Sequence, residues 1–330
     1  MRIVWFVAVA AVSACSSPSL RLEELDVTAQ AARCTRFVRC GLFGAVDDCD
    51  AYFRSLPPSS YEPARASGKI TFDGASAQKC EDALAAQGCD LTSRDVRVRP
   101  DACTNMFHGK IAEGDACSFD EECASSRCDF PTCPSGSCCV GACGQAHTGG
   151  QVGDSCARNV ECTDGYCDAD HMCHELGEAE ATCINDDQCG YDLACVSPSP
   201  SIPGNCKKLP HLGDVCPYQR CADLGTTCDA SLHCVALGLP GASCASQGDC
   251  SPFAECDVAR HVCIELPTLG MPCDVACAGE AWCNFGGQAV GMCSAPQSNG
   301  TPCENADECT TQNCKPGAVF DSCQDYPICF

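Results

Sequence analysis

Thirty-nine of the 330 residues are cysteine, and their sulfur atoms are the groups in this chain best suited to chemistry. A cysteine can be a metal ligand, a nucleophile or half of a disulfide. Zinc sites and thioredoxin-type redox sites usually contain two cysteines separated by two residues, and no two cysteines here have that spacing. The seven histidines follow no repeat. We therefore predict structural disulfides, with no metal and no cofactor.

The familiar sequence motifs of enzymes are missing from the chain. It contains no G-x-S-x-G, no H-E-x-x-H and no Walker A loop. His174 and Glu175 begin like the helix of a zinc protease, but the second histidine is absent. We expect no enzymatic activity.

Cys15 is predicted to carry a lipid instead of a disulfide. Residues 1–14 have a basic start and a short apolar run, which is typical of a signal peptide. The stretch Val12-Ser13-Ala14-Cys15 resembles a bacterial lipobox, which implies cleavage before Cys15 and acylation of its sulfur and amine; an ordinary signal-peptide cleavage is the alternative. Residues 15–25 would form a tether. The expectation is an exported protein, lipid-anchored to the bacterial outer membrane or cell surface.

The formal net charge of −24 narrows the classes of partner. Nucleic acid rewards basic patches, and so do anionic lipid surfaces. Both are therefore poor partners for this chain, and we predict that no nucleic acid is bound. The expected partners are the membrane, through the lipid, and an extracellular protein or glycan.

Residues 26–110 are not repetitive and are predicted to be helical, with a break near Gly41 and a second helix over 76–88. This segment, called here the helical segment, holds six predicted disulfide cysteines: Cys34, Cys40, Cys49, Cys80, Cys89 and Cys103. One hypothesis pairs them in a nested order: Cys49 with Cys80, Cys40 with Cys89 and Cys34 with Cys103. Other connectivities stay open. Cys40 and Cys49 are nine residues apart, and so are Cys80 and Cys89. On straight helices nine residues amount to half a turn out of phase, so two straight helices could not bring both pairs face to face.

Residues 111–330 contain seven repeats of a four-cysteine pattern. The pattern is G-x-x-C, a cysteine about six residues on, a third followed by Asp or Asn, and a fourth. The units begin at Cys117, Cys156, Cys183, Cys216, Cys244, Cys273 and Cys303. The structural cysteines predicted most clearly here are Cys117, Cys123, Cys128, Cys156, Cys162, Cys167, Cys173, Cys216, Cys221, Cys228, Cys234, Cys244, Cys250, Cys256 and Cys263.

Each unit has too small a core to fold without cross-links. The glycine predicts a turn with positive φ, and the Asp or Asn after the third cysteine predicts an Asx-turn rather than a calcium site. Aromatic side chains recur between the second and third cysteines, at Tyr166, Tyr191, Phe253 and Trp282. We expect them to pack on the adjacent disulfide; a ligand-stacking stripe is the alternative.

In unit 1 the order Cys117, Cys123, Cys128, Cys133, Cys138-Cys139, Cys143 resembles the Dickkopf amino-terminal cysteine-rich domain. The whole layout is similar to cysteine-rich repeat lipoproteins of social delta-proteobacteria. The resemblance implies small disulfide-rich repeats with little regular secondary structure, made of short β-hairpins and loops and preceded by a small disulfide-stapled α-helical segment. It also implies an extracellular binding module. Because each of the seven units should touch mainly its neighbours, we expect the repeats to form a semi-rigid rod with a binding, adhesion or structural role at the surface. The alternative is a protease inhibitor or sequestering factor that uses the loop 196–205.

Overall fold

The structure is a computed structural model and describes most of the chain. The described residues are 19–53, 61–129, 140–145, 150–156, 159–197, 199, 202–274, 276–278, 281–286, 290–298, 301–303, 309, 314–315 and 322–323. The predicted signal peptide, Cys15 and the pair Cys138-Cys139 lie outside them.

The described residues of the helical segment form six α-helices and one pair of strands. The helices are α1 Leu25–Arg39, α2 Val46–Phe53, α3 Tyr61–Ala66, α4 Gly74–Ala86, α5 Arg94–Arg97 and α6 Asp101–Thr104. The strands β1 Ile70–Phe72 and β2 Phe107–Gly109 are antiparallel. Asp73 caps α4 by accepting hydrogen bonds from the backbone N–H groups of Ala75 and Ser76, at 2.9 and 3.1 Å. The predicted break is present, because Gly41 has φ +79° between α1 and α2.

The core of this segment begins earlier in the chain than the sequence indicated. Leu20, Leu22 and Leu25 are buried against Ile70 and Phe107. The backbone N–H of Leu20 also donates to the carbonyl oxygen of Gly74 at 3.0 Å. The prediction of a tether over residues 15–25 is therefore wrong from Leu20 onwards, because burying the apolar side chains of these leucines is favourable.

The disulfides of the helical segment correct the nested hypothesis. Cys40 pairs with Cys89 as expected, but Cys34 pairs with Cys49 and Cys80 pairs with Cys103. The turn between α1 and α2 folds α2 back along α1, so Cys34 and Cys49 face each other at a Cα–Cα distance of 5.5 Å. In the same way α6 lies on α4 and brings Cys103 to Cys80.

The repeats consist of short antiparallel strands and loops. The strands are β3 Ala116–Cys117, β4 Cys128–Asp129, β5 Gly141–Cys143, β6 Gly165–Cys167, β7 Cys173–Glu175, β8 Thr182–Cys183, β9 Ala194–Val196, β10 Gly204–Lys207, β11 Thr226–Cys228, β12 Cys234–Ala236, β13 Ala254–Asp257, β14 Val262–Glu265, β15 Pro272–Cys273, β16 Trp282–Asn284, β17 Gly291–Ser294, β18 Cys314–Lys315 and β19 Ser322–Cys323. Short 3₁₀ turns occur in the repeats at Asp120–Glu122, Asn159–Glu161, Asp186–Gln188 and Gln247–Asp249, and one more, Leu22–Glu24, precedes α1. The predicted fold class is confirmed.

One disulfide pattern recurs in units 2 to 6. The first cysteine pairs with the third and the second with the fourth, as in Cys244–Cys256 and Cys250–Cys263. In unit 1 the first cysteine also pairs with the third, Cys117–Cys128, but the second pairs with the last, Cys123–Cys143. The third and fourth cysteines also lie opposite each other in the hairpin, for example Cys256 opposite Cys263. In unit 7 Cys314 of β18 lies opposite Cys323 of β19 in the same way.

Fifteen disulfides join cysteines of the described residues. Disulfides persist in oxidising compartments. Cross-linking of this density identifies an extracytoplasmic protein. Among the described helices, none combines the length and apolar character needed to cross a membrane.

Candidate binding surface

In units 1, 2, 3 and 5 a polar side chain of the 3₁₀ turn fixes the third cysteine of the unit. Asp120, Asn159, Asp186 and Gln247 accept a hydrogen bond from the backbone N–H of Cys128, Cys167, Cys195 and Cys256, at 2.7 to 2.8 Å. Each acceptor stands three residues before the second cysteine. The sequence analysis missed this position, although an Asp, Asn or Gln at that spacing in four units is a signal that could have revealed it.

The two turns predicted for the units are confirmed. The glycines that stand three residues before the first cysteine of a unit, such as Gly153 and Gly241, have φ near +90°. Unit 3 has Glu180 instead, and this residue adopts φ +71°. After the third cysteine, the Asp229 and Asp257 carboxylates accept the backbone N–H two residues on, at 2.9 and 3.0 Å, which is an Asx-turn.

The cysteine sulfurs of a unit form one compact cluster. In unit 1 the Sγ atoms of Cys117, Cys123 and Cys128 lie within 4.8 Å of one another, and equivalent groups recur along the chain. All of these sulfurs belong to disulfides. A disulfide sulfur is not a thiolate, so the cluster serves as the core of the unit and offers no metal ligand in this state.

The helical segment contacts the repeats through several backbone hydrogen bonds and one buried ion pair. In unit 4 the N–H of Leu224 donates to the carbonyl of Cys89 at 2.7 Å. The N–H of Leu91 donates to the carbonyl of Ala222 at 2.9 Å. Lys69 of the helical segment pairs with the buried carboxylate of Glu122 in unit 1 at 3.0 Å. These contacts differ from the expected rod, in which each repeat touches mainly its neighbours.

Arg97 attaches α5 to unit 3. Its guanidinium donates to the carbonyl oxygens of Asp186, Cys189 and Gly190, at 2.9 to 3.1 Å. Arg94 and Arg97 both lie over the ring of Tyr191, at 5.4 and 5.6 Å from its centroid. Tyr191 therefore packs on two arginines of the helical segment, whereas the sequence analysis expected it to pack on the adjacent disulfide.

We predict that Arg97→Ala lowers the free energy of unfolding by about 2 kcal/mol, because three carbonyls lose a charged donor. Arg260→Ala is the control, since Arg260 is exposed and pairs with Asp257 of its own unit at 3.6 Å; the loss on this substitution should stay below about 1 kcal/mol. Chemical unfolding with the disulfides intact measures both. Equal losses would contradict the role of Arg97 in joining α5 to unit 3.

An aromatic cluster joins the helical segment to unit 5. The ring of Phe253 stacks on Phe43 with centroids 4.3 Å apart and meets Tyr52 edge-on at 4.7 Å. The cluster packs against the Cys34–Cys49 disulfide. Phe253 thus also departs from the expected packing within its own unit. Close to it in unit 4, Gly225 has φ +81°, and a Cβ there would overlap the carbonyl oxygen of Cys40.

The net negative charge of the chain comes entirely from the repeats. Residues 26–110 contain 11 basic and 11 acidic residues, whereas residues 111–330 contain 7 basic and 31 acidic ones. Four of the repeat cations already pair with carboxylates: Arg127 with Asp129, Lys207 with Glu180, Arg220 with Asp186 and Arg260 with Asp257. The repeats therefore contain too few lysine and arginine side chains to pair with the carboxylates that they expose.

Some repeat carboxylates have a lowered pKa because backbone amides point at them. The His233 N–H lowers the pKa of Asp229. The N–H groups of Ala245 and Ser246 lower the pKa of Asp249. Hydrogen bonds of this kind favour the charged form of a carboxylate. These groups therefore remain negative at neutral pH and add to the acidic surface.

One Ser, His and Asp grouping invites comparison with a catalytic triad. Ser231 Oγ donates to the Asp229 carboxylate at 2.8 Å and lies 3.3 Å from His233 Nδ1. In a triad the histidine stands between the serine and the aspartate. Here the serine stands between them, inside one Asx-turn, so this grouping is a turn.

The loop 196–205 joins β9 to β10 in unit 3. Cys195 and Cys206 lie opposite each other at its base. Residues 198, 200 and 201 lie outside the described residues. Ile202, on the described part, is exposed.

Comparison of the chain with protein-family models, with curated proteins and with solved structures gives no match.

Proposed function

We propose that this chain is a lipid-anchored surface protein whose acidic repeats bind a cationic partner outside the cell. The observation that carries this proposal is the separation of charge, with 31 acidic and 7 basic residues in the repeats beside a neutral helical segment. A surface of one sign attracts a partner of the other and speeds its encounter. The resemblance of unit 1 to the Dickkopf domain supports an extracellular binding role but not the animal signalling activity.

The arrangement of the repeats suits this role. Units 1 to 5 are fixed by disulfides and by contacts with the helical segment, so their carboxylates stand on a preorganised surface. Preorganisation lowers the entropic cost of binding. Several exposed carboxylates, including Glu175, Glu178 and Glu265, are free to meet a partner from solvent.

The test uses the full chain and immobilised polylysine, with polyglutamate as the opposite charge. We expect binding to polylysine only, weakening steeply as salt is raised, because salt screens exposed charges. The variant Glu175→Gln with Glu178→Gln should weaken binding. Asp47→Asn with Asp48→Asn removes the same charge from the exposed start of α2 and should not. Equal effects of the two variants, or no salt dependence, would overturn the proposal.

The lipid anchor has its own test. Palmitate should label the wild-type chain and should not label Cys15→Ala, because that variant lacks the sulfur that the lipobox would acylate. Ser16→Ala is the control and should be labelled normally. Retention of Cys15→Ala in the membrane at the wild-type level would contradict the anchor.

A further inference from the structure

Two exposed methionines lie at unit 6, which runs from Cys273 to Cys293. Met271, just before the unit, and Met292 on β17 have 51% and 47% of their surface accessible, whereas Met106 in the core of the helical segment has 9%. Oxidation of a methionine thioether gives a polar sulfoxide, and it requires access to the sulfur. Cysteines held in disulfides have no thiolate for an oxidant to attack. Among the described residues, the two exposed thioethers are therefore the sulfur groups most open to an oxidant.

Met292 and Trp282 share one face of the sheet that β15, β16 and β17 form in unit 6. Met292 is on the central strand β17 and lies opposite Asn284 of β16. Trp282, two residues earlier on β16, lies opposite Ser294. Because side chains alternate along a strand, Met292 and Ser294 lie on the same side of the sheet as Trp282. Met292 is thus a diagonal neighbour of Trp282, at a spacing that long and aromatic side chains can bridge.

The disulfide sulfurs of unit 6 lie on the other face of this sheet. A Cβ on Gly291 would meet the sulfurs of Cys283 and Cys273 at 2.6 and 3.1 Å. Gly291 stands next to Met292 on β17, so alternation places Met292 on the side away from these sulfurs. The face that carries Met292 and Trp282 is therefore the outer one, and an oxidant in solution can reach the Met292 side chain.

Met271 has a similar exposure but a different position. It stands directly before Pro272, which lies opposite Met292. The same alternation therefore places Met271 on the disulfide side of the sheet, away from Trp282. Its sulfur already accepts a hydrogen bond from Thr268 Oγ1 at 3.3 Å. Met271 is thus a matched comparison for Met292, because it is equally accessible but does not share a face with the tryptophan.

Trp282 presents a hydrogen-bond donor that no described residue uses. Its indole Nε1 is buried and has no partner among the described residues, and a buried donor without an acceptor costs free energy. The hydroxyl directly opposite, on Ser294, instead donates to the Met292 carbonyl oxygen at 3.2 Å. The thioether sulfur of Met292 is a weak acceptor. A sulfoxide on Met292 would bring a polar oxygen, a much better acceptor, to the same face.

We propose that Met292 is an oxidative modification site, and that its sulfoxide oxygen accepts a hydrogen bond from the indole N–H of Trp282. Oxidation of a methionine in a packed core inserts a polar group where none fits. At Met292 the new oxygen instead meets a donor that lacks a partner, so unit 6 keeps its fold in both states. This inference goes beyond the proposed function and does not depend on it.

The oxidant in this reaction is hydrogen peroxide. The thioether sulfur of Met292 attacks one peroxide oxygen, so that an S–O bond forms while the O–O bond breaks. The proton on the attacked oxygen passes to the leaving oxygen, which departs as water. Sulfur is thereby oxidised by two electrons, and the peroxide is reduced by the same two electrons.

The first measurement is the order in which the methionines are oxidised. The folded full chain, with its disulfides intact, is treated with hydrogen peroxide and digested, and mass spectrometry follows the added oxygen at each methionine. Met292 should react about five times as fast as Met106, which is the ratio of their exposed fractions of 47% and 9%. In denaturant the two should react equally fast. Equal rates in the folded chain would contradict the assignment of Met292 as the modified site.

The second measurement is the nuclear magnetic resonance signal of the Trp282 indole N–H. The chain has two tryptophans, Trp5 and Trp282, so the full chain with Trp5→Phe and isotopically labelled tryptophan gives one indole signal. Oxidation of Met292 should move this signal downfield, because the proton gains a hydrogen-bond acceptor. A signal that stays in place while Met292 carries its oxygen would overturn the proposed hydrogen bond.

Two leucine variants assign the effect to one sulfur. Met292→Leu removes the sulfur at nearly constant volume, and peroxide should then no longer move the Trp282 signal. Met271→Leu removes the equally exposed sulfur of the other face, and the signal should still move as it does without this substitution. A shift that survives Met292→Leu, or one that is lost with Met271→Leu, would place the oxidation-sensitive group elsewhere and refute the proposal.

Discussion

Replacing Phe43 by alanine is expected to lower the free energy of unfolding by about 3 kcal/mol or more, as for large-to-small substitutions in a core. Phe43 is 8% exposed. It stacks on Phe253, and its ring lies 6.1 Å from Tyr52. The substitution removes the centre of the aromatic cluster that joins α2 to unit 5. Guanidinium unfolding followed by circular dichroism, with the disulfides intact, measures the loss.

Tyr166→Ala is the matched control for this prediction. The Tyr166 ring stacks on His174 within unit 2, with centroids 5.6 Å apart. Because this pair lies within one unit, its loss should cost less than about 1 kcal/mol. If the two substitutions destabilise the protein equally, Phe43 has no special role in joining the helical segment to the repeats.

Removal of one disulfide from a repeat is expected to have an effect of similar size. Changing both Cys250 and Cys263 to alanine should cost about 2–5 kcal/mol, the range for disulfides in small domains. The buried cluster of unit 5 consists of Cys244, Cys250, Ala254, Cys256 and Cys263, so little apolar core remains without this bond. Hydrogen exchange should become faster across residues 244–263.

The Cys34–Cys49 disulfide offers the comparison. Removing it in the same way should leave hydrogen exchange in β1 unchanged, because Ile70 is buried in a separate cluster with Leu22 and Phe107. That cluster has enough apolar side chains to stay folded by itself. Protection that persists in unit 5 after loss of Cys250–Cys263 would show that its fold does not depend on the bond.

The repeats were predictable because their structure is local. In most units a glycine three residues before the first cysteine and an Asp or Asn after the third are turn residues with a direct physical reason, and both turns are present, for example at Gly153 and Asp229. The pairing of first with third and second with fourth cysteine could not be derived, since spacing alone permits each alternative. It depends on the hairpin register that places Cys256 opposite Cys263.

The contacts of the helical segment were not predictable from the sequence. Arg97 donates to backbone carbonyls, which every residue has, so no partner residue signals the contact. The nested disulfide hypothesis failed for Cys34 and Cys80 because it treated two long helices, whereas the chain turns at Gly41 and forms extra short helices that bring nearer cysteines together. The sequence analysis also missed the acidic surface of the repeats, residues 111–330. It considered the net charge of the whole chain and did not compare the charge of the repeats with that of the helical segment.

The disulfide pattern also limits how far the protein can be stretched. The Cys40–Cys89 bond removes 49 residue steps from the extensible chain, which at ~3.5 Å per residue is about 170 Å of contour length. Between successive cross-linked blocks, from Cys103 to Cys117 and onwards to Cys273, only 10 to 14 residue steps remain free in each linker. Under tension the molecule would therefore lengthen in these linkers and then stiffen.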